Sequence, residues 1–357
     1  MEFRILVINP GSTSTKIAVY DDEKMIMSES ILYSSEELSK FKCNMDQLDM
    51  RINSILSVLE KEGIEVSTLN AVVGRGGALP PVKSGAYIVT DDMIDRLKNR
   101  PILDHASNLG GVIARHIAES AGVEAYVYDT ISVDEMSDVA RISGNKDFER
   151  ISMGHALNTR AMALKYAKEN KLDYKKLNLI VVHIGGGATI YLHNHGRMVD
   201  MISDDDGPFS PDRSGRVPCK PLIDECFSGE FTQYEMLKKI RGRGGVYSYL
   251  GTNDLREVEK MIEDGNEEAR IVYDAMAYQL AKGIGEMATV VEGNVDAIIL
   301  TGGIANSKKF TEKIIKKVKF ISNVVIMPGE NELESLAYGI LRVLKGEETA
   351  SVYIESK

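Results

Sequence analysis

Apolar positions along this chain fall into two rhythms: short unbroken runs rich in β-branched residues, and longer stretches with helical spacing. The runs Ile5-Leu6-Val7-Ile8 and Leu179-Ile180-Val181-Val182 each enter a turn of small residues. Each is followed by a second apolar run, Ile17-Ala18-Val19-Tyr20 and Ala188-Thr189-Ile190-Tyr191-Leu192. Both segments read as strand, turn, strand. The pattern further predicts a helix over 34–61, a buried strand over 71–73, and a helix over 108–121 striped by Leu109, Val112, Ile113 and Ile117. A strand over 125–128 and a helix over 153–171 follow. Later come a long helix over 267–291, a strand over 296–300 and a last helix over 332–344. The stripe of the long helix is Ile271, Val272, Ala275, Met276, Leu280, Ile284, Met287 and Val291. Such alternation argues an α/β architecture with mixed sheets.

The two strand–turn–strand segments lie 174 residues apart, nearly half the chain, which suggests a duplicated domain. No low-complexity stretch separates the halves, and the hinge is expected near residue 150.

The turns carry chemistry. Asn9-Pro10-Gly11-Ser12-Thr13-Ser14-Thr15-Lys16 offers backbone N–H and hydroxyl groups that can converge on an anion. It is not a Walker A loop, because the second glycine is missing and a strand follows where a helix should. The bland alternative is a hairpin turn rich in Ser and Thr. His183-Ile184-Gly185-Gly186-Gly187 is the second such turn, where three glycines permit close backbone approach to a bulky anion. Thr301-Gly302-Gly303 is a third place of the same kind, and an ordinary strand-to-helix turn is its alternative.

Arg75 and Arg213 sit among glycines, where a guanidinium can grip phosphate or carboxylate bidentately; either could equally be a surface arginine. Asp129 ends a strand, a place where α/β enzymes put catalytic carboxylates, or it caps a helix. His105 and His155 stand near helix starts. Asp204-Asp205-Asp206 reads as an acidic solvated turn rather than a metal site.

Composition narrows the choice. With 357 residues, 43% hydrophobic and 27% charged, the chain has ample material for two domains. Its net charge of −10, with no basic stripe, argues against a nucleic-acid partner. The apolar start is cut short at Asn9-Pro10-Gly11, too early for a signal peptide, and no run reaches the length of a membrane span. Cys43, Cys219 and Cys226 read as free thiols in a reducing cytoplasm.

Together these motifs resemble the acetate and butyrate kinases, within the sugar kinase, heat-shock-70 and actin superfamily. The resemblance covers essentially the whole chain. It is carried by the Asn9–Lys16 block, Gly74-Arg75-Gly76-Gly77, Asp104-His105-Ala106-Ser107-Asn108-Leu109-Gly110 and Gly154-His155-Ala156-Leu157-Asn158. His183–Gly187, Gly207-Pro208-Phe209-Ser210-Pro211-Asp212-Arg213-Ser214-Gly215 and Leu300-Thr301-Gly302-Gly303-Ile304 complete it. The blocks are closest to the butyrate kinase branch. The resemblance implies a duplicated actin-like (ribonuclease H-like) two-domain α/β fold with a central cleft. An acid-binding domain would take 1–150 plus roughly 335–357, and a nucleotide-binding and dimerisation domain would take 151–334. It implies ATP-dependent phosphorylation of a short-chain carboxylate to an acyl phosphate, reversibly, with domain closure, in a homodimer joined through the second domain.

Carried over by position, Arg75, Asp129, His155 and Arg213 would be catalytic. Asn9, Ser12, Ser14, Lys16, His183, Gly185, Gly186, Gly187, Asp254, Arg256, Gly302 and Gly303 would hold ATP or ADP. Arg75, Gly77, His105 and Pro208 would meet the acid. Asn9 and Glu332 would lie around Mg2+. Acetate kinases carry a bulkier residue where Gly77 stands, so a glycine there is expected to leave room for butyrate or a branched relative. Thr130 stands where proline is typical of butyrate kinases, and the segment 200–207 looks about two residues short. Three rivals remain: a hydroxyl-directed sugar kinase, a nucleotide-driven binding protein of the actin type, and a sensor without catalysis. Residues 346–357 are too few for a partner-binding domain, and retention of Arg75, Asp129 and Arg213 argues against the sensor.

Overall fold

The computed structural model describes residues 2–329 and 331–354. The chain divides into two compact units, 1–134 with 331–357, and 135–330. In unit 1, β1 (Arg4–Pro10), β2 (Ser14–Asp21), β3 (Lys24–Leu32), β4 (Ala71–Arg75), β5 (Ala86–Ile88) and β6 (Glu124–Tyr128) form one sheet with the short strand Ser351–Val352. The sheet is ordered Ser351–Val352, β5, β6, β4, β1, β2, β3. In unit 2, β7 (Asn178–Ile184), β8 (Ala188–Asn194), β9 (Arg197–Ile202), β10 (Ala297–Thr301) and β11 (Val324–Ile326) are ordered β11, β10, β7, β8, β9.

The two sheets share one plan. β1 pairs antiparallel with β2 and parallel with β4, and β2 pairs antiparallel with β3. β7 pairs antiparallel with β8 and parallel with β10, and β8 pairs antiparallel with β9. The next strand outward, β6 or β11, is parallel in both. The turns after Asn9 and His183 therefore occupy equivalent places in two copies of one motif.

Burial explains the unbroken apolar runs. Along β7, Ile180, Val182 and Ile184 face one core while Leu179 and Val181 face another, so both sheet faces are covered. Each such side chain contributes about 2 kcal/mol by leaving water. In unit 1, Leu6 and Ile8 of β1 pack with Ile52, Ile55 and Leu59 of α1 (Leu48–Lys61) and with Leu109, Ile113 and Ile117 of α2 (Asn108–Ala121). The terminal helix Glu332–Leu344 packs against β1, β4 and β6. In unit 2 the first core includes Met276, Leu280 and Ile284 of the long helix Glu267–Val290.

Three expectations need correction. The helix expected over 34–61 is broken into Ser35–Leu38, a 3-10 turn at Met45–Gln47, and α1. Side chains compete for the backbone there: Asp46 accepts from the N–H groups of Lys42 and Cys43, and Asp104 accepts from Asn44. The helix expected from 153 starts at Ala156, because His155 takes a non-helical backbone as its cap. Ile271 is 55% exposed and falls off the buried stripe. Among the described residues no helix is long and apolar enough to cross a membrane, and the three cysteines are free thiols.

A buried histidine gives the fold an acid limit. His193 on β8 is fully buried with Nδ1 at 2.9 Å from the Tyr174 hydroxyl, and burial pushes its pKa down to about 3. The folded ring stays neutral while the unfolded ring takes up a proton below its ordinary 6.5, so stability is lost as pH falls from 6.5 toward 3. Urea denaturation should show a loss of about 1 kcal/mol by pH 5.5, and His193→Gln should flatten that slope.

Candidate active site

In unit 1 three polar side chains meet at strand ends. Asn9 is buried near the end of β1, Arg75 ends β4, and Glu332 opens the terminal helix. Asn9 Nδ2 donates to Glu332 Oε2 at 2.6 Å. Arg75 Nη1 lies 2.8 Å from Glu332 Oε1 and donates to Asn9 Oδ1 at 3.5 Å. A carboxylate in the first turn of a helix is favoured by the peptide dipoles, so Glu332 suits its place there. Arg75 is aimed by a close approach of backbones. A Cβ at Gly74 would overlap the carbonyl of Gly110 on α2, and one at Gly110 would overlap the carbonyl of Arg75.

His105 reaches solvent but is partly desolvated, and that desolvation, with the charge of Arg75 second, lowers its pKa. The Ser107 N–H donates to Nδ1 at 3.2 Å, so the neutral ring carries its proton on Nε2. Asp129 follows β6 with a left-handed φ of +39°, rare for a residue with a side chain. Its buried carboxylate accepts from the Gly85 N–H at 2.7 Å, and its own N–H donates to Gly85 O at 3.1 Å. Thr130 hydroxyl accepts from the Ser132 N–H, so a hydroxyl-supported turn follows Asp129.

The Asn9 turn is tight. Gly11 N–H donates to Ser14 O at 2.7 Å, Ser12 is exposed, and Lys16 is an exposed residue of β2 in register with Asn9. Gly77 does not leave a vacancy. A Cβ there would press on Asn108, 2.7 Å from its Cα, and on Leu97 at 2.8 Å. The glycine admits the start of α2, and the inference of room for a longer acyl chain fails at this position.

In unit 2 the equivalent turn is built on two histidines. His183 on β7 is buried, its Nδ1 3.0 Å from Asn158 Oδ1. The His155 ring stacks on it with centroids 4.0 Å apart and planes 14° off parallel, and His155 Nδ1 lies 3.1 Å from Thr189 Oγ1. Gly185 N–H closes on Gly187 O at 2.9 Å, and the Ser210 hydroxyl donates to Gly186 O at 2.6 Å. A Cβ on Gly186 would stand 3.3 Å from Asp212 Oδ2, and one on Gly187 3.2 Å from Asp204 Oδ2. Gly302 has φ +88°, and a Cβ there would overlap Ile184 O, so the end of β10 touches the same turn. Gly303 beside it is open.

Arg213 is held by two carboxylates, Asp212 at 2.6 Å and Asp204 at 3.3 Å; Asp204 also pairs with Arg241 at 3.0 Å. The acidic run is therefore an ion-paired segment, since Asp206 and Asp200 both pair with Arg150 at 3.2 Å. Pro208 is buried beside a cavity of about 180 Å³ whose lining includes Arg216, Lys282 and Glu286, charged company for an apolar chain. Asp254 caps the helix Leu255–Glu263 and pairs with the exposed Arg256 at 2.6 Å.

The structure thus gathers Asn9, Arg75 and Glu332 in unit 1. In unit 2 it gathers His155, His183, the 185–187 turn and Gly302. Asp204, Asp212, Arg241 and Asn158 join the unit 2 place and Arg51 binds the carbonyls of the Asn9 turn; the sequence alone assigns none of them a role there. Asn158 had a signal, three residues after His155 in one block. Arg51 had another, since it occupies a stripe position with Ile55 and Leu59 on α1. Among the described residues no three His, Cys, Asp or Glu side chains converge as a metal cage. The Asn9 and Glu332 oxygens suit Mg2+, which keeps most of its waters and takes few protein ligands.

Known proteins share this framework. Residues 153–335 match the model of the Acetokinase family. A Clostridium acetobutylicum protein named butyrate kinase 2 is 49% identical over 355 residues, 99% of this chain and all of that one. The crystal structure of Porphyromonas gingivalis acetate kinase aligns at TM-score 0.79 and 19% identity, covering 96% of this chain and 100% of its own. A Francisella tularensis propionate kinase aligns at TM-score 0.74 and 16% identity, covering 94% and 98%. Those two structures establish the actin-like two-domain fold, and the sequence match establishes kinship: the chain belongs to the acetokinase family of ATP-using carboxylate phosphotransferases.

Proposed function

We propose that the protein transfers the γ-phosphoryl group of ATP to butyrate, giving butyryl phosphate and ADP, and that it catalyses the reverse transfer. Unit 1 takes the acid and unit 2 the nucleotide. A carboxylate oxygen attacks the γ-phosphorus in line as the bond to the β,γ-bridging oxygen breaks. The acid is already ionised at neutral pH, so no base is needed. Arg75, Arg213, His155 and the His105 Nε2–H stabilise charge on the transferring group, with Asp129 holding its orientation. His183, the 185–187 turn and the Gly302-Gly303 pair receive the nucleotide, and Ser12, Ser14 and Lys16 are assigned to its terminal phosphate. Asp254 and Arg256 are assigned to the adenosine.

Magnesium fits the Asn9 and Glu332 donors and would neutralise phosphate charge. The helix Cys219–Cys226 presents Ile223 (55% exposed), and Phe227 (86% exposed) follows it, which supports a homodimer through unit 2. A cytoplasmic location accords with free thiols and family membership.

The observation that carries the carboxylate acceptor is the character of the unit 1 groups. Arg75 and the neutral His105 are donors, and the Asp129 carboxylate is engaged by Gly85. A sugar hydroxyl would need a base in their place. The relative named butyrate kinase supports the four-carbon acid. Steady-state assays with two- to six-carbon acids, trapping the product with hydroxylamine, decide it. We expect a hydroxamate and the highest kcat/KM for butyrate. Sugar phosphate without hydroxamate would sink the reading, and a preference for acetate would remove the four-carbon assignment.

A further inference from the structure

Arg51 on α1 is a fully buried arginine with an unusual set of neighbours. Its Nε and Nη2 donate to Gln47 Oε1 at 3.0 and 2.7 Å. Its Nη1 donates to Ser14 O at 3.0 Å and Thr15 Oγ1 at 2.9 Å, and Nη2 also donates to Ser12 O at 3.3 Å. The Tyr33 ring lies under the guanidinium, 4.7 Å away, and the Tyr33 N–H donates to Thr13 O at 3.0 Å. All five N–H groups are thus used, every partner is neutral, and among the described residues no carboxylate pairs with Arg51.

A buried cation without a counter-ion is costly, and a methionine of similar volume would fill the space. What the arginine provides is a fork. It draws the carbonyls of residues 12 and 14 to one side of the turn, while Tyr33 takes that of residue 13. In a trans peptide the N–H points opposite its carbonyl, so the other side of the turn is given amide hydrogens. The unneutralised charge lies behind them, where a low dielectric carries its field.

We propose that Arg51 is a positioning residue for phosphoryl transfer, holding the 12–14 turn with its N–H edge toward the transferring group and placing a positive charge behind that edge. This rests on the assignment of the Asn9 turn to the terminal phosphate.

The test uses the full chain with Arg51→Met, Arg51→Lys, Gln47→Leu and, as a reference, Asn9→Ala. Thermal denaturation and steady-state kinetics are measured for each. For Arg51→Met we expect kcat at least about tenfold lower, with KM for ATP and butyrate within about threefold of the parent. Arg51→Lys should recover less than half of that loss, because one ammonium cannot serve Gln47, Ser12 and Ser14 together. Parental kcat in folded Arg51→Met, whatever its melting temperature, overturns the proposal. If Arg51→Met does not fold, Gln47→Leu decides: a lower kcat at unchanged KM supports it, and parental kcat overturns it. Silent Arg51 variants beside an impaired Asn9→Ala reject Arg51 alone. A silent Asn9→Ala rejects the assignment of the turn itself.

Discussion

Arg75→Ala should lower kcat/KM for the carboxylate about a thousandfold while leaving the protein folded. In the proposed mechanism this guanidinium stabilises charge on the transferring group, and Glu332 and Asn9 fix it at the end of β4, beside β1. Its side chain is about a quarter exposed, so the Arg75–Glu332 pair contributes only about 1 kcal/mol to stability. Activity and stability therefore separate cleanly in this variant. Arg75→Lys should recover little, since an ammonium point charge lacks the planar guanidinium that can meet carboxylate or phosphoryl oxygens bidentately. A melting temperature within a few degrees of the parent, with butyryl hydroxamate formation nearly abolished, is the expected pairing. Near-parental turnover in Arg75→Ala would remove Arg75 from the mechanism.

The second large effect concerns a residue without a side chain. Gly110→Ala would force a methyl group into the Arg75 carbonyl, and Gly74→Ala one into the Gly110 carbonyl. Backbone on both sides cannot move as a flexible side chain can, so the cost should reach about 3 kcal/mol, the upper part of the range for overpacking. The same displacement would shift Arg75, so activity should fall further than stability explains. Gly285→Ala is the contrast: the glycine lies inside the long helix with nothing within 4 Å of the added Cβ. That change should be neutral or stabilising by about 0.5–1 kcal/mol. Chemical denaturation of the three variants, beside kcat/KM, checks both statements.

Much of this was legible in the chain. The helices Asn108–Ala121 and Glu332–Leu344 carry regular stripes, and their observed ends match the periodicity. The similarity of the two strand–turn–strand segments foretold the repeated sheet plan, because identical pairing follows from identical patterns of strand and turn. What escaped was decided by partners distant in sequence. Nothing near residue 40 announces that Asp104 will bind Asn44 and help interrupt a helix. The acidic run at 204–206 looks solvated until Arg150, Arg213 and Arg241 are brought to it. A glycine at 77 suggests absence of bulk, whereas its neighbours Asn108 and Leu97 already fill the space. A missing side chain marks a vacancy only where the fold leaves one.

The route of the chain through unit 1 has a consequence for its synthesis. Unit 2 is continuous from 135 to 330, whereas unit 1 is finished only by residues after 330. β1 is made more than 300 residues before the helix Glu332–Leu344 that covers one of its faces. Until then Ile5 and Val7, fully buried in the finished protein, lack that cover. Asn9 and Arg75 likewise meet Glu332 only after the whole of unit 2 has been made. A chain truncated after residue 330 would therefore hold unit 2 whole while unit 1, lacking the helix over β1, remained a client for chaperones.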